Sequence, residues 1–178
     1  MVKKMLKNPP KLPEVKMKSV EKKQEKRIQE EFSEQVVQID RISRVVAGGK
    51  RLRFRATVVV GNKNGKVGLG VAKANDVVGA VQKAVREAKK DLIIVPIKNE
   101  TIPHEIYQNF GSARVLLKPA AKGTGIIAGG PVRIIAELSG IKNILSKILG
   151  SPNKINNLKA VISGLKKIAS QQAQDKEN

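Results

Sequence analysis

Arg51, Arg53 and Arg55 alternate with Leu52, Phe54 and Ala56. A period of two puts three guanidinium groups on one face of a strand and the apolar groups on the other. A guanidinium is a fork of N–H donors that matches phosphate oxygens, so the chemistry on offer is the holding of a polyanion. Arg41, Ser43 and Arg44 precede this run, Gly48, Gly49 and Lys50 lead into it, and Lys63, Lys66 and Lys73 follow it. A second candidate is Lys122-Gly123-Thr124-Gly125, which continues to Gly129-Gly130-Pro131. Bare backbone N–H groups ahead of a helix N-terminus form an anion site that a phosphate of RNA could fill. A nucleotide-hydrolysing phosphate loop needs a Gly-Lys-Ser/Thr ending, and here the ending is Gly-Gly-Pro.

Other chemistries lack their residues. There is no cysteine, so neither a disulfide framework nor a thiolate metal site can form. His104, the single histidine, follows Pro103 and reads as a surface or packing residue. Asp40 and Asp76 have no obvious acidic partner, and Arg133 with Glu137 is spaced as a helical surface pair. Nothing points to an enzyme, a metal or a cofactor. The charge does point somewhere: 35 Lys and Arg against 15 Asp and Glu give a net charge of +20. Each phosphate neutralised by such a surface releases condensed counterions, which favours nucleic acid as partner. An anionic membrane is the competitor, but the basic residues are spread through alternating strands and do not line one amphipathic helix. No stretch is apolar for the thickness of a bilayer and no signal core opens the chain, so no membrane is expected and the location reads as cytoplasmic. Aromatics make up only 2% of the chain. Readers of single strands stack bases on aromatic platforms, so folded or duplex RNA, or DNA backbone, fits better than unpaired bases.

The elements that must carry these residues follow from periodicity. Residues 1–35 hold ten basic and six acidic side chains and three prolines, and read as a basic arm, disordered or helical. Val36 to Val46 predicts a first strand, with a bulge near Arg41 where the apolar phase shifts. Leu52–Val60 and Val67–Val71 complete a three-stranded antiparallel meander, its second turn a loop of about five residues through Asn64-Gly65 that reads as a mobile tip. Lys66, Gly68 and Gly70 then fall on the face opposite Val67, Leu69 and Val71, open to close approach. Asp76 caps a helix through Lys90 whose stripe of Val77, Val81, Val85 and Ala88 covers the apolar face of the sheet. Lys83, Arg86 and Lys90 face away. A further strand over 91–98 ends at Pro96, and Asn99-Glu100-Thr101 marks a boundary. The second half reads as strands at 102–107 and 114–118, a helix from Pro131 to Leu138 closed by Gly140, a strand at 144–149, and a helix opened by Ser151-Pro152. The fold class is α+β. The predicted divisions are 1–35 arm, 36–97 βββα RNA-binding domain, 98–168 two-layer α/β domain and 169–178 polar tail. Residues 36–97 carry thirteen basic and four acidic side chains and residues 98–168 eleven and three, so both halves are expected to touch the polyanion.

Gly49-Lys50, Phe54, Ala56, Val59-Val60-Gly61-Asn62, Gly65, Val67-Gly68 and Gly70 resemble, in order, the signature of the bacterial-type small-subunit ribosomal protein S-five family. Arg114-Val-Leu-Leu-Lys-Pro-Ala120, Gly123-Thr-Gly-Ile-Ile-Ala-Gly-Gly130 and Ser151 to Asn153 are similar to that family's second half. The resemblance spans roughly residues 36–168. It implies a first domain like double-stranded-RNA-binding domains and a second α/β domain. It also implies binding to small-subunit ribosomal RNA beside ribosomal proteins S-three, S-four and S-eight, near where messenger RNA enters, with support for subunit assembly and decoding fidelity. By the same resemblance, the loop from Ser43 to Lys50 reaches a head helix of the RNA near the spectinomycin site. Gly111, Ser112 and Arg114 correspond to the contact with S-four. Ala47 stands where many members carry lysine, which weakens one expected phosphate contact, and the N-terminal arm is variable in the family. A stand-alone duplex-RNA chaperone or regulator is the alternative reading, and an enzyme the third.

Overall fold

The alternation that begins at Arg51 does not persist through its strand. After Thr57 it gives way to Val58-Val59-Val60, all fully buried, the pattern of a strand covered on both faces. The computed structural model, which describes residues 32–174, shows what covers each face. Strands β1 (Ser33–Val46), β2 (Gly49–Gly61), β3 (Lys66–Ala74) and β4 (Leu92–Ile94) form one antiparallel sheet in that order. Helix α1 (Val77–Lys90) lies on the face of Ala56, Val58 and Val60. Val59 and Val67, on the other face, join a larger core built mostly from the second half.

That second half is a sheet in the order β5 (Ile106–Phe110), β6 (Ala113–Pro119), β8 (Ile144–Ile148), β7 (Ile126–Ile127). Only the β7–β8 pairing is parallel. Helices α2 (Gly130–Ser139) and α3 (Lys154–Gln174) bring Val132, Ile135, Leu158, Leu165 and Ile168 into the same core as Val115 and Leu117. The passage between the sheets runs past a bridge at Lys98 and Thr101. Residues from Phe32 onward form one compact unit.

Several expectations are corrected. Helix α1 does start from the side chain of Asp76, which accepts from the Gly79 N–H at 3.3 Å, but its buried stripe is Ala80, Ala84, Val85 and Ala88, with Val77 and Val81 only half-buried. Small residues win because the helix lies almost on the backbone of β3. Gly68 and Gly70 pair with Val60 and Val58 and so sit on the helix side. A Cβ at Gly70 would overlap the Ala84 carbonyl, and one at Gly68 that of Ala88. Their bareness admits a helix. The bulge falls between Val36 and Gln38, four residues before the expected place. The sheet has four strands because Leu92–Ile94 pairs with β3. Strand β5 begins at Ile106, while Ile102 is buried in the connection ahead of it. The two-residue β7 has too little sequence to show a period. The loop after Gly61 is held fast: Lys63 N donates to Leu138 O at 2.9 Å and Gly65 N to Ser139 O at 2.8 Å. Helix carbonyls at a C-terminus need donors, and this hairpin supplies two. The expected arm over 1–35 lies outside the described residues except for 32–35, of which Ser33 to Gln35 already belong to β1. The last four residues of the predicted tail lie outside as well, and α3 takes in what precedes them.

Candidate nucleic-acid interface

Strand β3 pairs with β2 only as far as Phe54 opposite Ala74, while β1 continues beside β2 to Val46 opposite Gly49. Residues 41–53 therefore stand out from the sheet as a two-stranded ribbon. Its turn is Ala47-Gly48, with Gly48 at φ +88° and nothing within 4 Å of a Cβ placed there. This backbone region suits glycine, and among the described residues nothing crowds the tip at Gly48 or Gly49.

Register sorts the basic residues between the two faces of the ribbon. Arg51 pairs with Arg44, Arg53 with Ile42 and Arg55 with Asp40, while Lys73 lies across from Arg55 on β3. All of these share one face. Arg44, Arg51, Arg53 and Lys73, with Ile42 and Val46, line a hollow of about 520 Å³. Among the described residues none of these four cations has an acidic partner. Arg55 differs: its Nη2 is 2.7 Å from Asp40 Oδ2. The hydrogen bond from Arg55, followed by one from Gln38, holds the Asp40 carboxyl below its ordinary value against the opposing effect of burial. Arg41 pairs with Phe54, Ser43 with Leu52 and Lys50 with Val45, which places them on the opposite face. The structure thus divides the predicted set in two and withdraws Arg55 into an ion pair.

The remaining predicted residues lie elsewhere. Lys63 carries an exposed side chain on the clamped loop, and Lys66 N donates to Asn62 Oδ1 at 3.0 Å. Lys122, Gly123 and Thr124 are exposed, but the N–H groups expected to hold an anion are engaged. Asn143, only 3% exposed, accepts from Gly123 N at 3.1 Å and from Gly125 N at 3.0 Å, and Thr124 N donates to Ala121 O at 3.2 Å. An asparagine oxygen with two lone pairs saturates the turn. The N–H groups of Gly123, Thr124 and Gly125 are no free nest, and Lys122 is the loop's charged group. The open N-terminus of α2 has Gly129 as cap, without a side-chain hydrogen bond. Gly111 and Ser112 form the exposed β5–β6 turn, and this end is braced by Ser151 N donating to Ser112 O at 3.1 Å and Leu149 N donating to Arg114 O at 2.8 Å. Arg114 points to the face of the second sheet that α2 and α3 leave uncovered, alongside Lys118 and Lys147.

Asp40 and Asn143 are structural residues that the sequence reading missed. Asp40 carried one usable signal, its phase with Arg55 on adjacent predicted strands; Asn143 carried none. His104 Nε2 lies 3.0 Å from Gln171 Oε1, a surface contact. Among the described residues no group of three His, Asp or Glu side chains could hold a metal ion, and no helix is long and apolar enough to cross a membrane.

The arrangement is one of cations gathered on and beside a projecting ribbon. The pattern of the family described as Ribosomal protein S5, N-terminal domain, matches residues 32–96, and that of Ribosomal protein S5, C-terminal domain, matches residues 108–178. The chain is 57% identical over 139 residues to a protein of Thermotoga neapolitana named small ribosomal subunit protein uS5, covering 78% of each chain. The protein of that name from Thermotoga maritima is 54% identical over 139 residues, again 78% of each. That from Thermosynechococcus vestitus is 56% identical over 136 residues, 76% of this chain and 78% of the other.

Proposed function

The chain belongs to the ribosomal protein S5 family, and from that premise we propose that the ribbon of β1 and β2 is its principal grip on RNA. As a member it is a structural, non-enzymatic constituent of the small ribosomal subunit, where it binds ribosomal RNA among other ribosomal proteins. One observation carries the assignment of the surface. Arg44, Arg51, Arg53 and Lys73 share a face with no acidic partner among the described residues, and phosphate is what such a cluster attracts. Arg41, Ser43 and Lys50 on the other face, with Gly48 and Gly49 at the tip, let the ribbon touch RNA on both sides. Lys63, Lys66 and Lys122 add contacts from the body.

The finer placement is also proposed. Proteins S-four, S-eight and S-three are the neighbours, with S-four meeting the turn at Gly111, Ser112 and Arg114, and messenger RNA passes nearby. The protein supports subunit assembly and decoding fidelity from this position. The braced β5–β6 turn is consistent with a protein contact, since a rigid tip loses little freedom on docking. The test is association with purified small subunits as salt rises. A subunit constituent stays bound after washing at high ionic strength, whereas a free duplex binder, held by phosphate contacts alone, is released. Release at modest salt contradicts the proposal.

A further inference from the structure

Resting on the reading that this ribbon holds ribosomal RNA, we infer that the hollow on the Arg51 face of β1 and β2, beside Lys73 of β3, is a seat for one extruded nucleotide of an RNA bulge or loop. Backbone binding alone needs only cations spread along a surface. Here the surface is concave, at about 520 Å³, inside the roughly 300–1,000 Å³ range of sites that enclose small ligands. Its lining is of two kinds. Ile42 and Val46, both half-buried on the same face of β1, offer an apolar floor, and Arg44, Arg51, Arg53 and Lys73 surround it.

A nucleotide has the same two parts, a flat apolar base and an anionic phosphate. A base on the Ile42–Val46 floor loses apolar surface to water, while a guanidinium plane can lie on its open face. The remaining cations meet the flanking phosphates in forked geometry. No aromatic ring is available, so the seat holds any base and reads none by its edges. The nucleotide is one already unpaired, because drawing a base from a duplex costs its stacking and pairing, and a bulge has lost the pairing beforehand. The opposite face, with Arg41 and Lys50, is left to contact the backbone.

The probes are two RNA hairpins alike except that one carries a single-nucleotide bulge occupied by 2-aminopurine, titrated with the full chain. The bulged hairpin is expected to bind about tenfold tighter, the gain from removing roughly 55 Å² of apolar surface from water, and its fluorescence to brighten as the base leaves the helix stack. The double variant Ile42→Thr, Val46→Thr keeps β-branched side chains suited to a strand but removes the apolar floor. It is expected to bind both hairpins within about twofold of each other, with the salt slope unchanged because no phosphate contact is lost. Circular dichroism checks its fold; if the double variant is misfolded, Val46→Thr alone, at the ribbon's end, is read instead. Equal affinity of the native chain for the two hairpins overturns the nucleotide seat, as does a preference that survives removal of the floor. If both hairpins bind equally with a steep salt dependence, the RNA-binding face stands and only the seat falls.

Discussion

The guanidinium of Arg55 lies against the carboxylate of Asp40 across the β1–β2 ladder, its Nη2 at 2.7 Å and its Nε at 3.1 Å from the same oxygen, Oδ2. Gln38 donates to the other oxygen, so the carboxylate is satisfied on both sides. Arg55 shares a face with Arg51 and Arg53 yet spends its charge within the protein. Its replacement should therefore act on folding and hardly on RNA. Arg55→Ala is expected to lower stability by about 0.5–1 kcal/mol, the range of partly exposed pairs, and to leave the salt slope of RNA binding unchanged.

The same pair sets an acid dependence. Asp40 has a depressed pKa in the folded state, so its stabilisation is complete above the unfolded carboxylate value, about 3.9. It is lost as pH falls through the lower folded value. The gap in melting temperature between the native chain and Arg55→Ala should be constant above about pH 5 and shrink below about pH 4. A gap that stays constant down to about pH 3 contradicts the ion pair as its origin.

Gly70 tests the closeness of α1 to β3. An added Cβ would meet the Ala84 carbonyl and lie 2.8 Å from the Ala88 backbone nitrogen, and neither is the free end of a side chain. Gly70→Ala is expected to lose about 3 kcal/mol or more, at or beyond the upper end of overpacking, read as a drop in denaturant midpoint. Gly48→Ala, with open space around it but φ +88°, should lose only about 1 kcal/mol. A loss at Gly70 no larger than that at Gly48 would contradict the close approach of α1 to β3.

Asn143 decides what the glycine loop is for. With Gly123 and Gly125 bonded to its oxygen, both amides should exchange slowly in the free protein and change little when RNA is added. Asn143→Ala leaves the two donors to solvent or unpaired and is expected to cost about 2–3 kcal/mol and to speed exchange at both glycines. Fast exchange in the native chain that slows only with RNA would restore the free anion nest.

The ribbon tip offers a test in cells. Deleting Gly48 re-aims the turn without touching the buried part of β2, so folding is expected to be retained while the proposed contact of the tip with RNA shifts. Altered spectinomycin sensitivity of a strain carrying the deletion is the expected outcome, and an unchanged drug response counts against the tip's placement.

Much of this was legible in the sequence because it is local. Alternation at Arg51, Arg53 and Arg55 gave the ribbon face, Asp76 the start of α1, and Gly140, at φ +88°, the end of α2. What escaped depends on contacts distant in sequence. The three valines from Val58 to Val60 are continuous because the second half covers the arginine side of β2 beyond Thr57, and no local pattern shows which partner does so. Thr57 itself is fully buried at that crossing. The glycines of β3 read as an open surface until the helix is seen lying on them. Likewise Gly123 to Gly125 look like a phosphate cradle only while Asn143, eighteen residues from Gly125, is out of view.

Arg44, Arg51 and Arg53 on the ribbon and Lys73 beside them on β3, without acidic partners among the described residues, are proposed to hold ribosomal RNA, and the salt dependence of binding measures this directly. Affinity of the full chain for small-subunit ribosomal RNA should be recorded over a range of salt for the native protein, for Arg55→Ala and for the fourfold change Arg44→Ala, Arg51→Ala, Arg53→Ala, Lys73→Ala. The fourfold variant, still folded, is expected to lose about three to four units of slope, close to one for each phosphate contact removed, while Arg55→Ala keeps the native slope. A native slope in the fourfold variant would contradict the proposal.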